Sequence, residues 1–256
     1  MSELRVTVLG SGTSHGVPMI GCDCPVCTSP DPRDHRTRTS VRIETQDRSL
    51  LIDTTPELRL QCLACDVRRV DAVLFTHGHA DHVVGLDDLR RFNHLQGTSL
   101  PCYADRVTAA GLVRMFDYAF KELPNYKSAK PQLDMIEIDG PFEVEGVHVV
   151  PVPLFHGDLP ILGFRVGAFA YCTDCSRIPE PSFPLLEDLD VLILDGLRRR
   201  PHPTHFNLDQ AVDAARIIGA KQTFFTHIAH ALGHETTNAE LPATMALSYD
   251  GQVIEI

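Results

Sequence analysis

At 256 residues, with 43% hydrophobic side chains, the chain can bury the core of one large α/β domain or two small ones. Its net charge of −11 argues against sequence-independent nucleic-acid binding, which needs clustered Lys and Arg. No segment approaches the roughly 18 consecutive apolar residues of a membrane span, and Met1 to Gly10 read as strand rather than as a targeting segment, so a soluble cytoplasmic protein is expected. Residues 4–9, 41–43, 49–52 and 72–75 are short β-rich runs. Thr55-Pro56-Glu57 offers a cap, a first-turn Pro and an early acid, predicting a helix to about Cys65. Gly85-Leu86-Asp87-Asp88 opens a second helix and residues 105–120 form a third, before a Pro-containing loop over 123–131. Residues 147–153, 164–166 and 191–194 return to strand character. Asn207 caps a helix through Ile218, with Leu208, Ala211, Val212 and Ala215 on one stripe and Gly219 stopping it. Residues 245–249 and 252–256 flank Asp250-Gly251, which predicts a closing hairpin with a type I′ turn.

The chemistry concentrates in Phe75-Thr76-His77-Gly78-His79-Ala80-Asp81-His82, directly after an apolar strand. Neutral imidazole and carboxylate oxygen suit Zn²⁺, Mn²⁺ and Fe²⁺ alike. His77 and His79 alternate with residues too small to obstruct convergence of the rings, while Asp81 and His82 turn to a second point. Eight cysteines, three of them in Cys22-Asp23-Cys24-Pro25-Val26-Cys27, fit a reducing compartment and a metal site better than a disulfide framework. That C-x-C-x-x-C spacing can wrap one ion and leave a fourth tetrahedral position open. The glycines of Gly10-Ser11-Gly12 form neither G-x-G-x-x-G nor a P-loop, and read as backbone approaching the metal site. Cys62 with Cys65 and Cys172 with Cys175 have CxxC spacing but read as small core hydrophobes. Arg198-Arg199-Arg200, the compact basic run, reads as a solvated loop.

The His-x-His-x-Asp-His pattern resembles the signature of the metallo-β-lactamase-fold hydrolases, and the resemblance runs almost end to end. It implies one α/β domain over 1–256: an αββα sandwich of two mixed β-sheets flanked by helices, with an N-terminal Cys loop at about 21–28. By position it implies that His77, His79 and His156 hold one divalent ion and Asp81, His82 and His227 another, with Asp174 bridging. Asp53, closing Leu50-Leu51-Ile52-Asp53, matches a position that braces the metal loop, and Asp195 is a weaker match of the same kind. The Gly-rich and Cys-rich start resembles PhnP-family phosphodiesterases, in which a structural zinc is closed by a His just after the late ligand. His230 of Thr226-His227-Ile228-Ala229-His230 takes that place, with His35 and His234 as rivals. His205 matches the general-acid position, so Asp81 and His205 are the candidate catalytic residues.

The implied function is a dinuclear Zn or Mn phosphodiesterase acting on small diesters such as phosphoribosyl 1,2-cyclic phosphate. Its partner is a small substrate rather than a nucleic acid or a membrane, and homodimerisation is implied by the resemblance alone. The alternatives are a ribonuclease Z-like nuclease, for which no long Gly/Pro-rich basic arm is visible, a PqqB-like cofactor-biosynthesis protein, and a zinc-binding interaction module without turnover.

Overall fold

The computed structural model describes residues 4–121 and 129–256. Strands β1 (Arg5–Gly10), β2 (Ser40–Glu44), β3 (Ser49–Ile52), β4 (Ala72–Leu74), β5 (Leu100–Ala104) and β6 (Leu133–Glu137) enter one sheet. Strands β7 (Phe142–Val144), β8 (Val147–His156), β9 (Leu159–Val166), β10 (Phe169–Cys172), β11 (Val191–Asp195), β12 (Gln222–Thr226) and β13 (Met245–Leu247) form a second, and β14 (Val253–Glu255) returns to the first. The orders are β14-β1-β2-β3-β4-β5-β6 and β13-β12-β11-β10-β9-β8-β7. Each sheet is mixed: β3 to β6 are mutually parallel, as are β10 to β13, while the remaining neighbours pair antiparallel.

Both faces of each sheet are covered, which explains strands that are apolar on both sides. On β3, Leu50 and Ile52 enter the core between the sheets, while Leu51 faces outward with Leu58, Phe92 and Leu112. Those outward partners lie on α1 (Leu58–Ala64), on α3 (Arg90–Gln96) and on α4 (Arg106–Met115), with the one-turn α2 (Ala80–Val83) between α1 and α3 and α5 (Asp117–Phe120) following α4. The outer face of the second sheet packs Leu192 and Leu194 against Leu208, Ala211 and Ala215 of α6 (Leu208–Ile218), while α7 (His234–Asn238) lies against β13. The architecture is the expected αββα sandwich. Pro151 and Pro153 are accommodated in β8 because, between Val149 and the bridge from Phe155 to Arg177, that strand pairs on one side alone.

Several local expectations are corrected. The helix expected from Thr55 begins at Leu58: the Thr55 hydroxyl accepts from the Glu57 N–H at 3.2 Å, closing a turn ahead of the helix, and donates to Gln61 Oε1 at 2.8 Å. The 105–120 helix starts as expected, Asp105 accepting from the Thr108 N–H at 2.7 Å, but breaks at Phe116 (φ −122°, ψ 42°) into α4 and α5. Around Gly85 the chain forms a 3-10 turn, Val84–Leu89, pressed so closely on Thr55 that a Cβ at Gly85 would lie 1.9 Å from the Thr55 carbonyl oxygen. The 123–131 loop falls largely outside the described residues.

The closing hairpin does not form. β13 pairs with β12 in one sheet and β14 with β1 in the other. Between them the half-buried Asp250 places its carboxylate to accept from Ser11 N–H (2.8 Å), Ser11 Oγ (2.7 Å), Thr37 N–H (2.7 Å) and Thr37 Oγ1 (2.6 Å). The turn itself forms, the Gln252 N–H donating to the Tyr249 carbonyl at 3.1 Å, but not as type I′, since Gly251 alone of the central pair has positive φ (84°), and the four tertiary bonds hold it between the two sheets. The N-terminal Gly-rich backbone does approach the site, pairing at Gly12 with Ile228, the residue after His227. The glycines also serve close packing on residues 36–38: a Cβ on Gly10 would meet Arg38 O at 2.0 Å and one on Gly12 would meet Arg36 O at 2.7 Å.

Candidate metal centre

The site lies along one rim of the sandwich because the strands that carry it run in the same sense. His77 follows β4, Asp53 follows β3, Asp174 follows β10, Asp195 ends β11 and His227 follows β12. β8, antiparallel to β9 and so aligned with β10, delivers His156 to the same rim. Three of these residues, Asp53 (φ 63°), Asp174 (φ 56°) and His227 (φ 58°), hold the left-handed backbone that non-glycine residues rarely adopt. His79 caps the one-turn α2, which aims Asp81 and His82 inward.

All seven residues expected as ligands of the paired ions are brought together. Ligand atoms of Asp81, His82, Asp174 and His227 lie within 4.8 Å of one another. The rings of His77, His79 and His156 meet beside them, with centroids 4.5 Å (His77–His79), 5.1 Å (His79–His156) and 5.7 Å (His77–His156) apart. Asp174 stands between the two groups: its Oδ1 is 3.1 Å from His82 Nε2, and its Oδ2 is 3.3 Å from His227 Nε2 and 3.9 Å from His77 Nε2.

Hydrogen bonds behind the rings set which nitrogen is free. Asp53 accepts from Thr76 N–H (2.9 Å), Thr76 Oγ1 (2.8 Å) and His82 Nδ1–H (2.7 Å). Since the Thr76 hydroxyl donates to Asp53, it accepts from His77 Nδ1–H at 3.0 Å. His156 Nδ1–H donates to the Thr204 carbonyl at 2.7 Å. In each case the tautomer leaves the Nε2 lone pair facing the cluster. Asp53 therefore braces two rings of the metal loop, the role the sequence assigned to it. Nothing in the sequence pointed to Thr204, whose contribution is a backbone carbonyl.

The donor set fits divalent cations. His77 Nε2, His82 Nε2 and both ring nitrogens of His227 are buried without a hydrogen-bond partner, an arrangement that is costly unless something else satisfies them. Burial pushes the His77 pKa well below the usual imidazole value and lowers those of His79 and His156, keeping their rings in the neutral, ligating form. At His82 burial acts the same way, but the Asp174 and Asp53 carboxylates outweigh it and raise the pKa well above normal. That field favours positive charge where the ligand atoms converge. At Asp174 burial is likewise outweighed, by His227 and His82, which hold its carboxyl well below the ordinary carboxylate range.

His205 sits against this cluster but is held separately. Its Nδ1–H donates to Asp195 Oδ2 at 2.7 Å, and its ring stacks on His227 (4.5 Å, 16°) and meets His156 edge-on (4.6 Å). Asp195 thus has a defined partner, and the His205 Nε2 side is left for the site. Below the cluster, Thr39 Oγ1 links the Tyr171 hydroxyl (2.9 Å) to Thr226 Oγ1 (2.7 Å), bracing the residue before His227.

The Cys loop forms a second cluster. The sulfurs of Cys22, Cys24 and Cys27 lie 3.2, 3.4 and 3.6 Å from His230 Nδ1. Of the three rival histidines, His230 is therefore the one at the sulfurs. His35 Nε2 instead meets the Ser29 carbonyl at 3.0 Å, and His234 packs edge-on against Tyr249. The Cys27 N–H bond draws the Cys24 thiol down to about 6, while burial pushes Cys27 up to about 11. Burial also raises Cys62, to about 12, and Cys172 to about 12, which suits inert core thiols. The loop is tied to the rim by the buried Arg36–Asp34 pair (3.0 Å), Asp34 also accepting from the His234 N–H at 2.8 Å.

Residues 48–228 match the β-lactamase superfamily domain, and the chain belongs to that superfamily. With this fold and this cluster it is a metallo-β-lactamase-fold protein whose rim carries a donor set suited to divalent metal. Within the class, it is similar to a solved diphosphatase of the PhnP family: 45% identity, TM-score 0.93, 99% of this chain and 97% of that one. Zn²⁺-bound PqqB from Methylobacterium extorquens shares the fold, with TM-score 0.80 at 21% identity over 98% of this chain and 100% of the other. An octanoyltransferase of Porphyromonas gingivalis (strain ATCC BAA-308 / W83) is 38% identical over 251 residues, 97% of this chain but 51% of that protein. The chain thus spans about half the length of that relative. Among the described residues no helix is long and apolar enough to cross a membrane.

Proposed function

We propose that the protein is a metal-dependent phosphodiesterase acting on small diesters, cyclic ones such as phosphoribosyl 1,2-cyclic phosphate among them. The observation that carries this reading is the meeting of the His/Asp cluster with the His205 imidazole, which Asp195 anchors from behind and whose ligand atom lies within 4.8 Å of those of His156 and Asp174. His77, His79 and His156 would hold one cation and Asp81, His82 and His227 the other, with Asp174 between them. When bound, two Zn²⁺ or Mn²⁺ ions supply Lewis acidity, bringing the pKa of water towards neutrality and offsetting negative charge on the phosphoryl oxygens.

The chain's own part is orientation and proton transfer. Asp53 and the Thr204 carbonyl fix the ligand rings, so that the site is assembled before substrate arrives. Asp195 holds His205 with Nε2 towards the substrate, and an arriving phosphate anion favours the imidazolium form, which then protonates the leaving oxygen. A diphosphate linkage is a second reading, favoured by the 45% identical diphosphatase. Its leaving group, a phosphate, is less basic than a sugar alkoxide and leans less on His205. The octanoyltransferase name is not carried over, because the alignment reaches only 51% of that protein.

A screen of metal-defined protein tests both readings, using phosphoribosyl 1,2-cyclic phosphate, bis-p-nitrophenyl phosphate, a nucleoside diphosphate derivative and pre-transfer RNA, with products followed by phosphorus NMR. Fastest turnover of the cyclic diester is expected. Cleavage of the diphosphate linkage alone would favour the second reading, processing of RNA would favour a ribonuclease Z-like activity, and no turnover of any diester would leave a zinc-binding module.

The Cys22, Cys24, Cys27 and His230 cluster is proposed as a closed structural zinc site, since three sulfurs and one imidazole complete a tetrahedral set. Cys24→Ser should lose one tightly held zinc and melt roughly 5 °C or more below the wild type, because a structural metal contributes folding free energy. Elemental analysis should find the ions of the His/Asp cluster retained. A full zinc count with unchanged melting would refute the assignment.

A further inference from the structure

The rings around His205 lead outward from the metal centre in order of exposure. His227 is 2% exposed and His205 7%. His202 comes next, half-buried, its ring 5.1 Å from that of His205. The Thr204 N–H and hydroxyl both donate to His202 Nδ1, at 3.3 and 3.2 Å, which puts the ring proton on Nε2. That Nε2–H has no partner among the described residues.

Arg198 lies on the same loop. Its guanidinium donates from Nε to the Arg200 carbonyl (3.2 Å) and from Nη2 to the Pro201 carbonyl (3.0 Å), folding back beside the residue that precedes His202. Arg199 is neutralised by Glu240 at 2.7 Å, but Arg198 has no carboxylate partner among the described residues. In a chain of net charge −11, Arg198 is thus a cation held by carbonyls rather than by a carboxylate among the described residues, on the loop that carries His202 and His205.

We propose that His202 and Arg198 form an anion subsite beside His205, and that it takes a second phosphate carried on the leaving-group side of the substrate. This rests on the phosphodiesterase reading and adds its specificity. His205 addresses the leaving oxygen, so the group attached to that oxygen passes the next ring outward, where the His202 Nε2–H and the Arg198 guanidinium, which keeps N–H groups beyond those given to the two carbonyls, lie on one loop. Charge-assisted hydrogen bonds to a phosphate are among the stronger polar contacts available there. The run itself is a largely solvated loop, as its sequence suggests, with Arg199 and Arg200 exposed.

The test uses the full-length, metal-loaded protein and two substrates that differ by one group: phosphoribosyl 1,2-cyclic phosphate, and ribose 1,2-cyclic phosphate without the 5-phosphate. The readout is the ratio of their kcat/KM values. Wild type should prefer the phosphorylated substrate, and His202→Gln and Arg198→Ala should each cut that preference about tenfold or more, mainly through KM. Arg198→Lys, which keeps the charge but loses the planar fork, should retain part of it. A preference retained in both His202→Gln and Arg198→Ala overturns the subsite, as does an equal loss on both substrates. A wild type that hydrolyses neither substrate overturns the phosphodiesterase reading, and the subsite falls with it.

Discussion

Asp174→Asn should strip at least one cation from the His/Asp cluster and reduce diester hydrolysis by roughly 10³-fold or more, given that charge stabilisation by such ions is worth several kcal/mol. Asn is the sharper substitution because it tolerates the left-handed backbone at this position (φ 56°) and keeps the side chain's shape while removing the charge. Asp174→Ala should do at least as much damage, adding backbone strain. With Asp174 neutral, His82, His227 and His77 lose the carboxylate that faces all three. Metal content and turnover measured on the same preparation decide the matter. Two retained ions with unaltered turnover would show that Asp174 does not join the two ligand groups.

His205→Ala should leave metal content intact yet slow a diester with a sugar leaving group by roughly 10² to 10⁴, the range of general acid catalysis. Hydrolysis of a p-nitrophenyl ester should fall much less, since that leaving group departs without a proton. The expected result is therefore a change in the kcat/KM ratio of the two substrates. Asp195→Asn should move the ratio the same way but less far, because Asp195 acts through the 2.7 Å bond that orients His205. Equal losses on both substrates, with metals present, would assign His205 to phosphate binding instead.

The site was legible in the sequence wherever its residues are contiguous or end a strand. His77 to His82 declare themselves because one turn of chain carries four donors, and His156, Asp174 and His227 follow from their order after β-like runs. What connects those residues was not legible. Asp195 and His205 were both marked, but only the folded loop makes them a pair. The left-handed backbone at Asp53, Asp174 and His227 leaves no signature in residue type. The choice among His230, His35 and His234 is a question of distance, and spacing alone cannot answer it. The misread hairpin has the same origin: Asp250-Gly251 is a strong local signal, but the carboxylate's partners lie 239 and 213 positions away along the chain.

The bond from His156 to the Thr204 carbonyl separates two kinds of tolerance that are usually expected together. Every amino acid brings a carbonyl, so what His156 requires is a peptide group at this point in space, not a particular residue. Metal retention should therefore tolerate substitution at position 204 in a saturation library, while removal of a single residue between Arg198 and His205 should abolish it. A homologue could drift in sequence through this loop and keep its chemistry, but it could not drift in length, so that conserved spacing rather than conserved identity is the trace this contact would leave in an alignment.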